Sequence, residues 1–517
     1  MYLNNKIIVG KNDHYEATII PKMVNRHGLI TGASGSGKTT SVKVLAESFA
    51  DSGIPVFMID VKGDLAGTCK EGEGASWVLD SREKLGLTEH TFKAYSVNFF
   101  DVFKTYGLPI RTTVDKVGSK LLTKMLGLSD VQEGILAIAF QIAEDEGKHL
   151  YNLNDLKLLL SRMAEKRDEY SLKYGNISTT SVAAIQRNIL ELVQEGGGNF
   201  FGEPELDLYD LLQFDYNGKG FINILDAQIL YKHPTLYACV LVWLLNTLYD
   251  KMPEVGDLER PKLALFLDEA HLIFSEMSAE MTKKIIQIIK LIRSKGIGVY
   301  FISQSPSDIP EEIIGQLGNK IQHVLRSYTP NDEKAIRAAA NSYRPNPEFN
   351  TAYFIKSLST GEALVSFLNE DGEPSIVEKV KILPPQSNTG TISDAERDSI
   401  IKSCRFYGKY IEDVNSESAE EKIEKEREVE AEELARIKEE EEERKRQEAE
   451  EKLAIKEAKE AEKAEKEAAR KKKEEEREAE KKRKNDPLYK LGKKAGNKAV
   501  NKVLDKGLNK LMKGLFK

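Results

Sequence analysis

The sequence predicts an α/β protein with a mainly parallel sheet, a helical insertion and a long charged helix toward its carboxyl end. Three observations carry this. Apolar runs with polar ends recur at Gly28 to Thr31, Ile54 to Asp60, Gly220 to Leu225, Lys262 to Asp268 and Ile297 to Gln304. Strands covered on both faces read as such continuous runs, and the helical stretches between them supply the crossovers that parallel strands need. Charged residues make up 31% of the 517 residues, and much of that excess falls after residue 416.

In chain order, Lys6 to Val9 and Tyr15 to Ile20 read as short β stretches in an amino-terminal segment, residues 1–26. Gly28 to Thr31 is a strand, a glycine-rich loop follows, and Ser41 to Asp51 carries Val42, Leu45 and Phe49 at helical spacing. Ile54 to Asp60 is the next buried strand. Strand, loop, helix and strand in that order form a βαβ unit. Helical periodicity around Ser119 to Leu126, Glu133 to Ile142 and Val182 to Val193 predicts an insertion over about residues 112–215 of an α/β core spanning 27–410. Leu236 to Leu245 is the most apolar run, far short of the ~20 residues that cross a bilayer, and reads as a buried helix.

From 416 to 486 the composition collapses to Glu, Lys, Arg and Ala. Acid-to-base pairs four residues apart recur there, each contributing ~0.3 kcal/mol to a solvated single helix. A charged linker is the alternative. In residues 487–517, Leu491, Val500, Leu504, Leu508, Leu511 and Leu515 recur at helical spacing among lysines, which predicts a basic amphipathic tail suited to a protein partner or an anionic membrane.

A net charge of −7 gives no global attraction to nucleic acid. Cys69, Cys239 and Cys404 are far apart and form no CxxC, so neither disulfides nor a zinc site is expected and a reducing compartment fits. The amino terminus lacks the basic-then-apolar order of a signal peptide. The expected location is cytoplasmic.

Gly32-Ala33-Ser34-Gly35-Ser36-Gly37-Lys38-Thr39 matches G-x-x-x-x-G-K-[ST] throughout. Glycines let backbone N–H groups close around phosphate oxygens, Lys38 reaches the β- and γ-phosphates, and Thr39 places its hydroxyl on Mg²⁺. Leu263 to Leu267 ends in Asp268 and Glu269. Acids belong at the carboxyl end of a buried strand, where a parallel sheet opens its crevice. Asp268 is the candidate metal residue and Glu269 the candidate base for a water. Asp60, ending the strand after the loop's helix, either helps organise the metal's water shell or caps the next turn. Gln304, at another strand end, is a candidate γ-phosphate sensor. Arg293, between the helix Lys283 to Ile292 and that strand, is either a finger for a neighbouring subunit's phosphate or a helix-end cation. Arg326 is the reserve finger. His27 and His271 flank the motifs and read as structural; Phe200 and Phe201 read as core.

Taken together, Gly32 to Thr39, Ile59 to Gly63, Leu263 to Glu269, and Arg293 followed eleven residues later by Gln304 resemble the HerA/FtsK superfamily of ring-forming ATPases. Within it the chain is similar to the bacterial HerA-helicase-like group. Asn25 to Ile30, Tyr174 to Ser178, Phe201 to Pro204 and Ile292 to Gly296 extend the likeness over about residues 5–410. The resemblance implies a RecA-like P-loop NTPase core, ATP hydrolysis with Mg²⁺, and a hexamer with nucleotides between subunits. It assigns Lys38 and Thr39 to phosphate and metal, Asp268 to metal, Glu269 to catalysis, Gln304 to sensing and Arg293 to the finger in trans. The pattern departs from HerA-type translocases in having only about 26 residues ahead of the core that carries the loop, too few for their complete β-barrel. Three functions follow from these readings: a motor on double-stranded DNA, an ATPase that remodels or signals through a protein docked on the tail, and a scaffold at a membrane surface.

Overall fold

A computed structural model describes residues 1–485. The chain divides into two compact units, Met1–Glu424 and one beginning at Lys425. Thirteen strands form one sheet among the described residues. They are β1 Tyr2–Leu3, β2 Lys6–Lys11, β3 Glu16–Ile19, β4 Gly28–Thr31, β5 Val56–Asp60, β6 Val97–Asp101, β7 Leu108–Pro109, β8 Ile222–Asp226, β9 Leu263–Leu267, β10 Ile297–Ser303, β11 Asn319–Gln322, β12 Glu362–Ser366 and β13 Glu378–Ile382. Their order is β1-β2-β13-β12-β11-β4-β10-β9-β5-β8-β6-β7, with β3 paired to β2.

From β11 to β7 all neighbours run parallel, as the unbroken apolar runs require. Every residue of β5, β9 and β10 is buried. The amino-terminal strands join antiparallel through β13, so they complete one edge of the same sheet. The register aligns the strand ends that matter: Thr31 of β4 faces Ser303 of β10, and Leu267 of β9 faces Phe301. The glycine loop, Gln304 and Asp268 therefore leave the sheet along one edge.

Aromatic packing fixes the middle of the sheet. Phe266 and Tyr300 stack with centroids 5.0 Å apart, and Phe49 of the helix Lys38–Asp51 lies 5.3 Å from Tyr300. Tyr300 fits only because Gly28 beside it has no side chain; a Cβ there would lie 2.3 Å from the ring. Burying a ring of this size contributes roughly 2–3 kcal/mol.

The helical insertion comprises Val114–Met125, Asp130–Asp145, Leu153–Glu165, Arg167–Tyr174 and Thr179–Gln194. The first begins earlier than its periodicity predicts, because Thr113 caps it by accepting from Lys116 N, and it kinks at Gly118. Phe200 and Phe201 are core, as expected: Phe200 meets Trp243 edge-on at 5.3 Å, and both phenylalanines are buried. Trp243 belongs to the helix Pro234–Lys251, which is the buried apolar helix of the sequence.

The charged stretch is helical over Ala419–Asn485, a single run of 67 residues. Its first turn is rooted in the first unit, where Ala419 N donates to His149 O, Lys422 Nζ donates to Gly147 O and Ile423 is buried. Further along, side chains pair with each other four residues apart, as Arg436 with Glu440 and Lys484 with Glu480. The expected basic tail of 487–517 lies outside the described residues.

Candidate functional site

The glycine loop runs from the end of β4 into the helix Lys38–Asp51. Gly37 is the N-cap residue at φ +112°, a conformation that side chains disfavour, and it offers no side-chain oxygen to the first turn. That turn also lacks acids. Its N–H groups thus remain without the caps most helices carry, in a field favourable to anions. Lys38 folds back over the loop, its Nζ donating to Gly32 O at 2.7 Å and Ala33 O at 3.2 Å. Burial holds its pKa below the ordinary value, with Glu269 opposing that shift. Ser34 and Gly35 are exposed at the tip, while the buried Ser36 Oγ has no hydrogen-bond partner. The loop therefore presents a lysine, unpaired amides and an orphaned hydroxyl, which fits a polyphosphate.

A second histidine supports the loop from below. His323, just after β11, holds Ser41 Oγ at 2.8 Å through Nε2 and Glu362 O at 2.9 Å through Nδ1. A carbonyl only accepts, so Nδ1 carries the proton and Nε2 accepts from Ser41. Burial pushes this imidazole down to about 4. His27 is equally fixed: its Nδ1 accepts from Val299 N at 3.0 Å and its Nε2 lies 3.1 Å from Ile289 O. It is structural, as the sequence suggested.

The acids stand beyond β10. Asp268 follows β9 directly, and its Oδ1 accepts from Glu269 N at 2.8 Å. Burial, and then the charge of Glu269, pushes its carboxyl up to about 6. Glu269 sits in the left-handed region at φ +47°, a strained position for this residue type that recurs at working sites. Its Oε1 accepts from Lys62 Nζ at 2.5 Å, and its Oε2 lies 3.2 Å from His271 Nδ1 without hydrogen-bond alignment. Burial works against the charged form, but Lys62, His271 and Lys38 outweigh it and keep Glu269 below the usual range. Thr39 Oγ1 donates to Asp64 Oδ2 at 3.1 Å. Thr39, Asp64 and Asp268 are oxygen donors of the kind that, with phosphate oxygens and water, hold Mg²⁺. Among the described residues no cluster of His, Cys, Asp or Glu is complete enough to hold a metal alone.

Asp60 serves the turn after β5. Its carboxylate accepts from Gly63 N at 2.7 Å and Leu65 N at 3.0 Å, and burial pushes it up to about 7. That turn is what presents Lys62 and Asp64. Gln304 is exposed at the end of β10, between the loop and the acids. Arg293 lies elsewhere: it precedes β10, at the opposite edge of the sheet, one strand length or about 20 Å from the loop of its own chain. It is exposed, and its Nη2 and that of Arg26 each lie 3.7 Å from Asp257 Oδ1. Arg26, Lys290, Arg293, Lys320 and Arg344 line a cavity of about 360 Å³ there. Arg326 follows β11, beside the chain's own loop.

Lys62, Asp64 and Arg26 were not singled out by sequence reasoning, although Lys62 and Asp64 stand in the Asp60-Val61-Lys62-Gly63-Asp64 segment that was. For Lys62 and Asp64 the signal is an ionisable cluster immediately after β5, the strand that the loop's helix leads into. His271, read as structural, lies against the Glu269 carboxylate.

Comparison with known proteins adds an independent line. The family model described as Helicase HerA-like C-terminal matches residues 5–513. A DNA double-strand break repair helicase HerA of Saccharolobus solfataricus is 23% identical over 366 residues, covering 69% of this chain and 64% of the relative. The protein of the same description from Sulfolobus acidocaldarius is also 23% identical, covering 69% of this chain and 65% of its own length. The chain thus spans less than two thirds of these relatives. Among solved structures, the bacterial conjugative coupling protein TrwBdeltaN70, in its trigonal form with sulphate, superposes with a TM-score of 0.50 at 13% identity. That match covers 76% of this chain and 92% of the other, and speaks for the fold.

Proposed function

We propose, from the premise that the chain belongs to the Helicase HerA-like C-terminal family, that it is an ATP-hydrolysing ring motor acting on DNA. One observation carries the catalytic part: the loop of β4, Gln304 of β10 and the Asp268–Glu269 pair after β9 leave three adjacent parallel strands at one edge. Lys38 and the loop amides bind and neutralise the phosphates. Thr39 and Asp268 would hold Mg²⁺, which would supply charge stabilisation when bound. Glu269 orients a water and accepts its proton, Lys62 keeps that carboxylate ionised, and Gln304 reads the terminal phosphate by hydrogen bonding.

The placement of the arginines supports the ring. Arg293 is a strand length from its own loop and faces solvent beside Arg26 in a cationic recess. Two guanidinium groups sharing one exposed aspartate are poorly neutralised, and a neighbouring subunit's phosphates would complete them. On this reading Arg293 is the finger in trans, and the assembly is a hexamer. DNA as substrate is supported by what the curated relatives are called. Among the described residues no helix is long and apolar enough to cross a membrane.

The test is steady-state ATP hydrolysis by the purified chain with and without duplex DNA, with Glu269→Gln as the blank. Turnover that rises several-fold with DNA and vanishes in the variant is the expected result. Turnover indifferent to DNA would move the search to protein partners, and no turnover above the blank would overturn the ATPase reading.

A further inference from the structure

The loop has two flanks, and only one carries the acids. Asp268 and Glu269 lie beyond β10, with Lys62 and Asp64 beyond them after β5. A triphosphate whose terminal phosphate and cation meet those groups must leave its nucleoside on the other flank, because the phosphates extend in a row across the loop. That flank is β11 and the residues after it. Contact is direct there: Ala33 N donates to Val324 O at 2.8 Å, and Gly361 N donates to Ser36 O at 3.1 Å.

Four residues past Val324 stands Tyr328, 82% exposed. Its hydroxyl has no hydrogen-bond partner and its ring meets no other ring among the described residues. Arg326 is exposed beside it, without an ion-pair partner among the described residues. The backbone beneath is nevertheless fixed. Tyr328 N and Thr329 N donate to Asp332 Oδ2 at 2.9 and 2.8 Å, Thr329 caps the helix Pro330–Asn341, and Leu325 N donates to Ile355 O at 3.1 Å. Tyr328 also borders a cavity of about 570 Å³ that includes Ser327, Glu333, Lys334 and Arg337, a size suited to a small ligand. Four residues reach at most about 14 Å, so the Tyr328 backbone lies no farther than that from Val324, which contacts the loop. A large ring held open to water on a braced turn, beside a cradle for phosphates, is placed to receive another flat surface.

We propose that Tyr328 and Arg326 form the nucleoside end of the site, the ring stacking on the base and the guanidinium lying against the ribose and first phosphate. This rests on reading the loop as an ATP site. It gives Arg326 a role within its own subunit, distinct from the finger. Every base has a π face, so stacking alone discriminates little between purines, and ATP and GTP bind with similar affinity.

The test is equilibrium calorimetry on the full chain with Mg²⁺ and three probes: β,γ-imido-ATP, β,γ-imido-GTP and inorganic tripolyphosphate. Tyr328→Ala weakens both nucleotides roughly 5- to 100-fold and leaves tripolyphosphate within about twofold. Tyr328→Phe restores nucleotide affinity, and Arg326→Ala weakens the nucleotides more than tripolyphosphate. Equal loss for all three probes, or no loss for any, overturns the assignment while Lys38→Ala still abolishes binding. If the unmodified chain binds none of the probes, the ATP-site reading falls and this inference with it.

Discussion

Replacing Lys62 by methionine isolates the electrostatics of Glu269, the proposed catalytic carboxylate. The Nζ lies 2.5 Å from Glu269 Oε1, and Glu269 is 7% exposed while Lys62 is 51% exposed. A charge-assisted hydrogen bond contributes about 1.5–3 kcal/mol, and the solvent around Lys62 screens roughly half of that. The remainder, about 1–1.5 kcal/mol, corresponds to about one pKa unit. Glu269 is held below its ordinary value because Lys62, His271 and Lys38 outweigh burial. Without Lys62 its folded pKa rises. The assay is the pH dependence of kcat with saturating Mg-ATP, whose acid limb reports the ionisation of the base in the loaded enzyme. We expect that limb to move up by about one pH unit, with the plateau above pH 8 retained. The same sign governs stability: a carboxylate whose folded pKa is depressed stabilises the fold above its unfolded pKa and loses that contribution as pH falls through the folded value, so the variant loses less on acidification. An unmoved limb with unchanged ATP affinity would refute the reasoning. A plateau that collapses while the limb stays put would instead make Lys62 a phosphate ligand.

Further outcomes are expected. Glu269→Gln keeps nucleotide binding and loses at least about 100-fold in turnover, read by calorimetry and steady-state hydrolysis. Arg293→Ala binds nucleotide yet hydrolyses poorly, and mixing it with Glu269→Gln chains restores activity where an intact arginine meets an intact glutamate; no recovery on mixing would place the arginine's action within its own subunit. Gly28→Ala drives a Cβ to 2.3 Å from the Tyr300 ring, which Val24 O holds through the Tyr300 hydroxyl at 3.0 Å, so chemical denaturation should show a loss of about 1–3 kcal/mol. Burial holds His27 at about 4, far below the ~6.5 of an exposed imidazole. The unfolded chain takes up that proton first, so stability falls as pH drops from about 6.5 to 4, by on the order of 3 kcal/mol at the end. His27→Gln, which keeps an acceptor and a donor, should remove that part of the acid-induced fall in Tm.

Much of the site was legible because its pieces are contiguous. Gly32 to Thr39 is one unbroken segment, and its chemistry follows from glycine's backbone and the helix that begins at Lys38. Asp268 and Glu269 were legible for a similar reason: a strand as apolar as Leu263 to Leu267 accepts acids only where it leaves the sheet. The charged helix was legible from composition, since pairs four residues apart favour a solvated helix over the charged linker that was its alternative.

The partners of those residues were not. Lys62 and Glu269 are 207 residues apart, and they meet because β5 and β9 are neighbours in register. Strand order is set by how side chains such as Phe49, Phe266 and Tyr300 pack between layers, a long-range property that local periodicity does not carry. The same holds for the arginines. Sequence left Arg293 and Arg326 as rival fingers, whereas the direction of β10 and β11 puts one at the far edge and the other beside the loop. The sequence by itself marked the candidate residues for the chemistry, because backbone freedom, burial and charge act over a few neighbours. Only the tertiary structure decided which of them face each other, because that depends on the order and register of parallel strands whose pairing partners lie far apart along the chain.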